Sequence, residues 1–143
     1  MTRRKESVST PLTTPSHTSV GLDLLATGLL LLTHHHYFFW PPWPAWITTA
    51  ENNVVVGLIG VVTGLGMIYW AISPEKSISL NRKLIATASA YFTLLGMTEL
   101  MHAIFAPAGT PHMFMAGLSE FVMLLLTLYM AKARPTRRSS TGK

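Results

Sequence analysis

Residues 54–72 read VVVGLIGVVTGLGMIYWAI, nineteen residues without a charge. A helix needs about 20 apolar residues to cross the roughly 30 Å hydrocarbon layer of a bilayer. In lipid a helix satisfies its own backbone groups, whereas an isolated strand does not. The stretch therefore predicts a transmembrane helix, and three other segments read the same way. Residues 20–40 are mostly apolar, with an unbroken leucine block at Leu29–Leu32. Residues 84–105 are apolar apart from Glu99 and His102, and residues 113–130 are apolar apart from Glu120.

The connections are short. Pro41-Pro42-Trp43-Pro44 ends the first segment, Ser73-Pro74 ends the second, and Pro107, Gly109 and Pro111 mark the third turn. Short connections make neighbouring helices antiparallel. The expected fold is all-α: an integral membrane bundle of four transmembrane helices (20–40, 54–72, 84–105, 113–130), up-down-up-down. Residues 1–19 carry Arg3, Arg4 and Lys5 and then a Ser/Thr/Pro-rich run, a composition expected to be disordered. The four-helix domain then fills 20–131, and 132–143 form a basic tail.

Composition agrees with a bilayer environment. Only 12% of the 143 residues are charged, about half the usual quarter. There is no cysteine, so disulfides, thiolate catalysis and iron–sulfur ligation are excluded. No GxSxG, P-loop, Rossmann glycine pattern or HExxH occurs, and the chain is not expected to be an enzyme.

All 11 Lys and Arg fall in 1–19, 73–83 and 132–143, and none in 41–53 or 106–112. The positive-inside rule then places both termini in the cytoplasm of a bacterial inner membrane protein, with Trp40, Trp43 and Trp46 at the opposite interface. Polar residues separate Lys5 from a full-length apolar segment, so a retained helix is expected rather than a cleaved signal. The basic tails either set orientation alone or also bind anionic lipid headgroups, at roughly 1 kcal/mol per basic residue. They lack the aromatic interleaving of a nucleic-acid interface, so no nucleic-acid partner is expected.

A shift of 60 residues aligns the second segment with the fourth. Gly57/Gly117, Leu58/Leu118, Val62/Val122, Leu65/Leu125, Tyr69/Tyr129 and Ala71/Ala131 are identical. Either the hairpin was duplicated, or two apolar helices share a small alphabet by chance. Gly57, Gly60 and Gly64 lie on one face of the second segment, and Gly117 repeats the first of them. Small residues four apart let helices approach closely. The glycine face packs either within the bundle or against a second copy, and a homo-oligomer is expected.

Ionisable residues in hydrocarbon cost about 2.5–3.5 kcal/mol or more and normally face an interior or water. His34, His35, His36, Glu99, His102, His112 and Glu120 all fall in the outer third of the expected bundle, with Asp23 near its inner end. Glu99 and His102 share a helix face. Three readings stay open: interfacial or hydrogen-bonded groups, a polar lumen, or a metal or haem site. Glu-x-x-His occurs in di-metal bundles, but there it is paired, and here it stands once. Met97, Met101, Met113 and Met115 are weak candidates for soft copper ligands. No cofactor is required by this pattern.

In its helix count, its basic C-terminal tail, Glu51-Asn52-Asn53 before Gly57 and His112 before Gly117, residues 20–134 resemble the mycobacterial four-helix phage holin family. The histidine that family carries near the start of the second helix is absent here. The resemblance implies a protein that oligomerises in the cytoplasmic membrane and permeabilises it during phage lysis. It also implies polar residues lining the lesion. A membrane accessory or phage-exclusion protein, and a metal- or haem-binding membrane protein, are the alternatives.

Overall fold

The computed structural model describes residues 13–34, 49, 52–74, 77–105 and 111–132. They form four long helices: α1 (Thr13–Thr33), α2 (Val54–Ile72), α3 (Ile78–Phe105) and α4 (Pro111–Lys132). Three of them, α2, α3 and the Phe114–Lys132 part of α4, are long and apolar enough to cross a membrane. α1 is not among the three. Its 21 residues begin with a polar turn and carry His17 and Asp23, which dilute the leucine block.

α1 starts at Thr13, seven residues before the expected boundary, and ends at Thr33 rather than at residue 40. Residues 13–19 are therefore helical, not part of a disordered tail. Pro15 sits in the first turn, where a missing N–H leaves nothing unsatisfied. α2 matches its expected span. The Asn53 side chain accepts from the Val55 N–H at 2.9 Å and caps its start. Ser73 donates its N–H to the Tyr69 carbonyl at 2.9 Å and closes its end, just before Pro74. α3 begins six residues earlier than expected, because the Ser77 hydroxyl accepts from the Leu80 N–H at 3.3 Å. The added turn buries Asn81 while Arg82 and Lys83 point outward. Pro111 opens α4 at the position where proline is best tolerated.

The helices pair as two hairpins, α1 with α2 and α3 with α4, joined by thinner contacts between α2 and α3 and between α1 and α4. The first hairpin is packed backbone to backbone. A Cβ built on Gly28 would lie 2.6 Å from the Val61 nitrogen and 2.7 Å from the Gly57 carbonyl. One built on Gly64 would lie 2.6 Å from the Gly21 carbonyl. Gly28 thus meets Gly57 while Gly21 meets Gly64, so the two helices run in opposite directions. The glycine face of α2 is filled from within by α1, the first of the two arrangements the sequence left open.

The second hairpin repeats the first. Gly28 faces Gly60 and Val61, and Gly96 faces Glu120 and Phe121. Gly57 packs on Leu32, and Gly117 packs on Leu100. These pairs correspond under a shift of 68 residues from α1 to α3 and of 60 from α2 to α4. The 68-residue shift also matches Gly28 with Gly96, Leu32 with Leu100 and His34 with His102. The repeated apolar positions share their environment too: Leu58, Val62, Leu65 and Tyr69 are exposed, and so are Leu118, Val122, Leu125 and Tyr129.

The overall distribution is the inverse of a soluble bundle. The exposed surface carries large apolar side chains along all four helices. The interior combines Val20, Leu24, Met67, Ile85, Phe92 and Leu95 with His17, Thr63, Asn81, Thr98, Glu99, His102, Glu120 and Thr127. A contiguous apolar exterior of this extent marks a surface that meets lipid or protein rather than water.

Candidate functional site: the polar interior

Twenty-one residues separate Asn81 from His102 along α3, about 31 Å at 1.5 Å per residue. Both are buried, and Tyr91 and Glu99 are buried on the same helix between them. Polar groups from α1 and α4 fill in the intervening levels, in three tiers.

At one end, His17 and Asn81 meet. His17 Nε2 and Asn81 Oδ1 are hydrogen-bonded at 3.1 Å, and the His17 ring stacks on Trp70 with centroids 4.4 Å apart and planes at 29°. Because Asn81 Oδ1 accepts, Nε2 carries the donated proton. Trp70 donates its Nε1–H to the Ser77 carbonyl at 3.0 Å. These contacts bring the start of α1, the end of α2 and the start of α3 together. They also explain the early start of α1, since a helical turn is needed to deliver His17 to its partners. The Asn81 amide nitrogen is fully buried without a partner among the described residues.

The middle tier holds Asp23 and Tyr91, which occupy corresponding positions under the 68-residue shift. Tyr91 is buried against Gly60: a Cβ there would lie 2.5 Å from its hydroxyl. The hydroxyl has no hydrogen-bond partner among the described residues, nor does one carboxylate oxygen of Asp23. Tyr91 lies within electrostatic range of Glu120, Asp23 and Glu99, and Glu120 within range of Asp23 and Glu99. The three carboxylates and the phenol therefore form one group.

The third tier is Glu120, Glu99 and His102. Gly96 makes room for Glu120, whose Cβ would lie 3.2 Å from a Cβ at position 96. Glu99 is one helical turn further along α3. His102 donates Nδ1–H to the Thr98 carbonyl at 2.8 Å. Thr98 and Thr127 turn their hydroxyls back onto the carbonyls of Leu94 and Met123, at 2.9 and 2.7 Å, and are satisfied within their own helices.

Of the sequence-derived cluster, the structure buries Glu99, His102 and Glu120, with Glu99 and Glu120 within electrostatic range of each other. His34 is exposed at the end of α1, its Nδ1 3.0 Å from the Thr33 hydroxyl. His35, His36 and the side chain of His112 lie outside the described residues. Among the described residues no three His, Asp or Glu side chains come together as a metal-ion site. The sequence alone puts Asp23 at the inner end, away from the carboxylates, offers Tyr91 only as a hydrogen-bond neighbour of Glu99 and Glu120, and does not single out the His17–Trp70–Asn81 group. The signal for His17 was its spacing: 17, 20, 24 and 31 continue one helix face through the polar turn.

Comparison with protein-family models, with curated proteins and with solved structures gave no match for this chain.

Proposed function

We propose that the protein is a small multi-pass protein of a bacterial cytoplasmic membrane that permeabilises it in the manner of a holin, acting as a homo-oligomer. The observation that carries this reading is the inverted distribution of polarity. Carboxylates, histidines and an asparagine fill the interior of a bundle whose exterior is apolar. A group that would cost several kcal/mol in hydrocarbon is retained where it faces a partner or water.

All four helices cross the bilayer in this reading. α1 is carried through by α2, to which glycines bind it along its length. The Lys and Arg distribution then sets both termini and the α2–α3 turn in the cytoplasm. The His17–Asn81 tier lies at that inner end and the Glu99–His102 tier at the outer. In the assembled state the repeated apolar faces of α2 and α4 meet lipid or neighbouring copies.

Inducible expression in a bacterium tests the reading. The expected result is an abrupt loss of membrane potential after a period of harmless accumulation. Accumulation to high level with the potential intact would overturn it and favour an accessory role.

A further inference from the structure

We propose that the interior of a single copy is a proton relay. It runs over bound water from the Glu99–His102 tier, through Glu120, Tyr91 and Asp23, to the His17–Asn81 tier. This goes beyond the permeabilising function and rests only on the membrane-embedded part of that reading.

The first argument is continuity. The polar tiers begin at Asn81 and end at His102, about 31 Å apart along α3, which is close to the thickness of the hydrocarbon layer. His17 and Asp23 are six residues apart on α1, about 9 Å of rise. Tyr91 lies within electrostatic range of Asp23, Glu120 and Glu99, and Glu120 within range of Asp23 and Glu99. In the proposed path, hydrogen-bonded waters span the steps between tiers.

The second argument is unsatisfied polarity. The Tyr91 hydroxyl, one oxygen each of Asp23 and Glu120, and the Asn81 amide nitrogen are buried with no partner among the described residues. Buried polar groups are ordinarily paired, and where protein supplies no partner an internal water does. These atoms occur in all three tiers, so the waters they call for would be distributed along the bundle and not confined to one pocket.

The third argument is selectivity. Leu24, Phe92 and Leu95 are buried among the polar levels as part of one apolar cluster, an unfavourable lining for a hydrated ion. The described residues also gather no set of three ionisable ligands that would strip and hold a metal ion. A proton needs neither, because it moves by exchange of covalent and hydrogen bonds. A carboxylic acid gives its proton to a water as that water passes one of its own to the next acceptor. Each carrier gains one proton and loses one, and no electrons are transferred. The groups that face the path are His17 and Asp23 from α1, Tyr91, Glu99 and His102 from α3, and Glu120 from α4. Among the described residues α2 contributes no ionisable group to the interior, and the exposed Arg82 and Lys83 stand outside it. Intramembrane chains of Asp, Glu and His are the usual material of such relays.

The test uses the full chain in phosphatidylethanolamine/phosphatidylglycerol vesicles, reconstituted so sparsely that a vesicle holds one copy. Each vesicle encloses pyranine to read pH and a separate self-quenched carboxyfluorescein batch reads leakage. A potassium gradient with valinomycin sets the potential. The expected result is internal acidification with the dye retained. Glu120→Gln and Asp23→Asn should each slow acidification markedly, because each removes a carboxylate that the relay uses. Tyr91→Phe should slow it as well, and the exposed Thr93→Ala should not. Circular dichroism and elution volume establish that the variants fold; if one does not, the other two carry the comparison. Acidification no faster than in protein-free vesicles, or unchanged in the folded variants, would overturn the relay. Dye release from single-copy vesicles would overturn it too. Dye release confined to dense reconstitution bears on the permeabilising function alone, so the two readings fail separately.

Discussion

Gly60 and Glu120 hold equivalent places in the two hairpins, yet one has no side chain and the other carries a buried carboxyl group. The space that Gly60 leaves is taken by the Tyr91 hydroxyl, which would sit 2.5 Å from a Cβ at that position. In the second hairpin the corresponding space holds the Glu120 side chain itself, admitted by Gly96. The repeated frame thus presents two different polar groups to one shared interior. Divergence at equivalent positions, Asp23 against Tyr91 and Gly60 against Glu120, is what gives a nearly symmetric frame an asymmetric polar centre.

That arrangement makes a first prediction. Gly60→Ala should destabilise the protein by about 1–3 kcal/mol, the usual cost of overpacking a tight core. The shorter Tyr91→Leu should recover part of the loss when the two are combined. A double-mutant cycle on thermal unfolding in detergent should give a favourable coupling of about 0.5–3 kcal/mol. Additive effects would show that the hydroxyl does not fill the space beside Gly60.

The glycine contacts between α1 and α2 make a second. Gly28→Leu and Gly64→Leu should prevent the hairpin from closing, because backbone atoms rather than flexible side chains occupy the space. The expected readout is loss of a monodisperse species and of protease resistance. The exposed Leu29→Ala should change neither. A folded Gly64→Leu protein that merely loses self-association would return this face to the interface between copies.

The second hairpin can be tested by chemistry. Cysteines at Gly96 and Glu120 should form a disulfide on mild oxidation, since their Cβ atoms would lie 3.2 Å apart, slightly inside the usual 3.5–4.5 Å and within reach of a small backbone shift. A mobility shift reversed by dithiothreitol is the measurement. Cysteines at Gly96 and Val122 serve as the control, because Val122 points outward. Equal crosslinking of both pairs would mean that the two helices slide or rotate freely.

How much of this was legible in the sequence depends on what each residue's neighbours are. The span of α2 was readable to the residue, because an uncharged run between Asn53 and Ser73-Pro74 leaves one solution. The equal depth of Glu99 and Glu120 on adjacent helices was readable, and both are buried. The start of α1 was not legible from composition. Thr13–Ser19 is polar, and the contacts of His17 with Trp70 and Asn81, more than 50 residues away, favour a helix there in a way composition does not show. Tyr91 could be read as a neighbour of the carboxylates, but its place against Gly60 could not, because that depends on the gap left by a glycine on another helix.

Membrane topology gives a fourth prediction. Cysteines at Ser7, Ser77 and Ser140 should be protected from an impermeant thiol reagent added to intact cells, and one at Thr48 should be labelled. The motive is the confinement of every Lys and Arg to three of the five non-spanning segments. Labelling at Ser77 with protection at Thr48 would invert the orientation.

The His17–Trp70–Asn81 group supplies the last. His17 is fully buried in a polar turn, where it stacks on Trp70 and hydrogen-bonds to Asn81. His17→Ala removes both and leaves the Asn81 side chain buried with neither polar end paired to protein. An unsatisfied buried polar group costs about 1–3 kcal/mol. The first turns of α1 should therefore unfold before the rest of the bundle. Hydrogen exchange should show faster exchange over residues 13–20 in the variant, with α2 and α4 unchanged. Asn81→Ala should give a smaller effect, because the ring stack survives. His17→Phe combined with Asn81→Leu should restore slow exchange, since a stacked apolar pair of similar volume needs no hydrogen bond. If His17→Ala leaves exchange over 13–20 at the wild-type rate, another contact anchors this turn and the inner polar tier has no structural role.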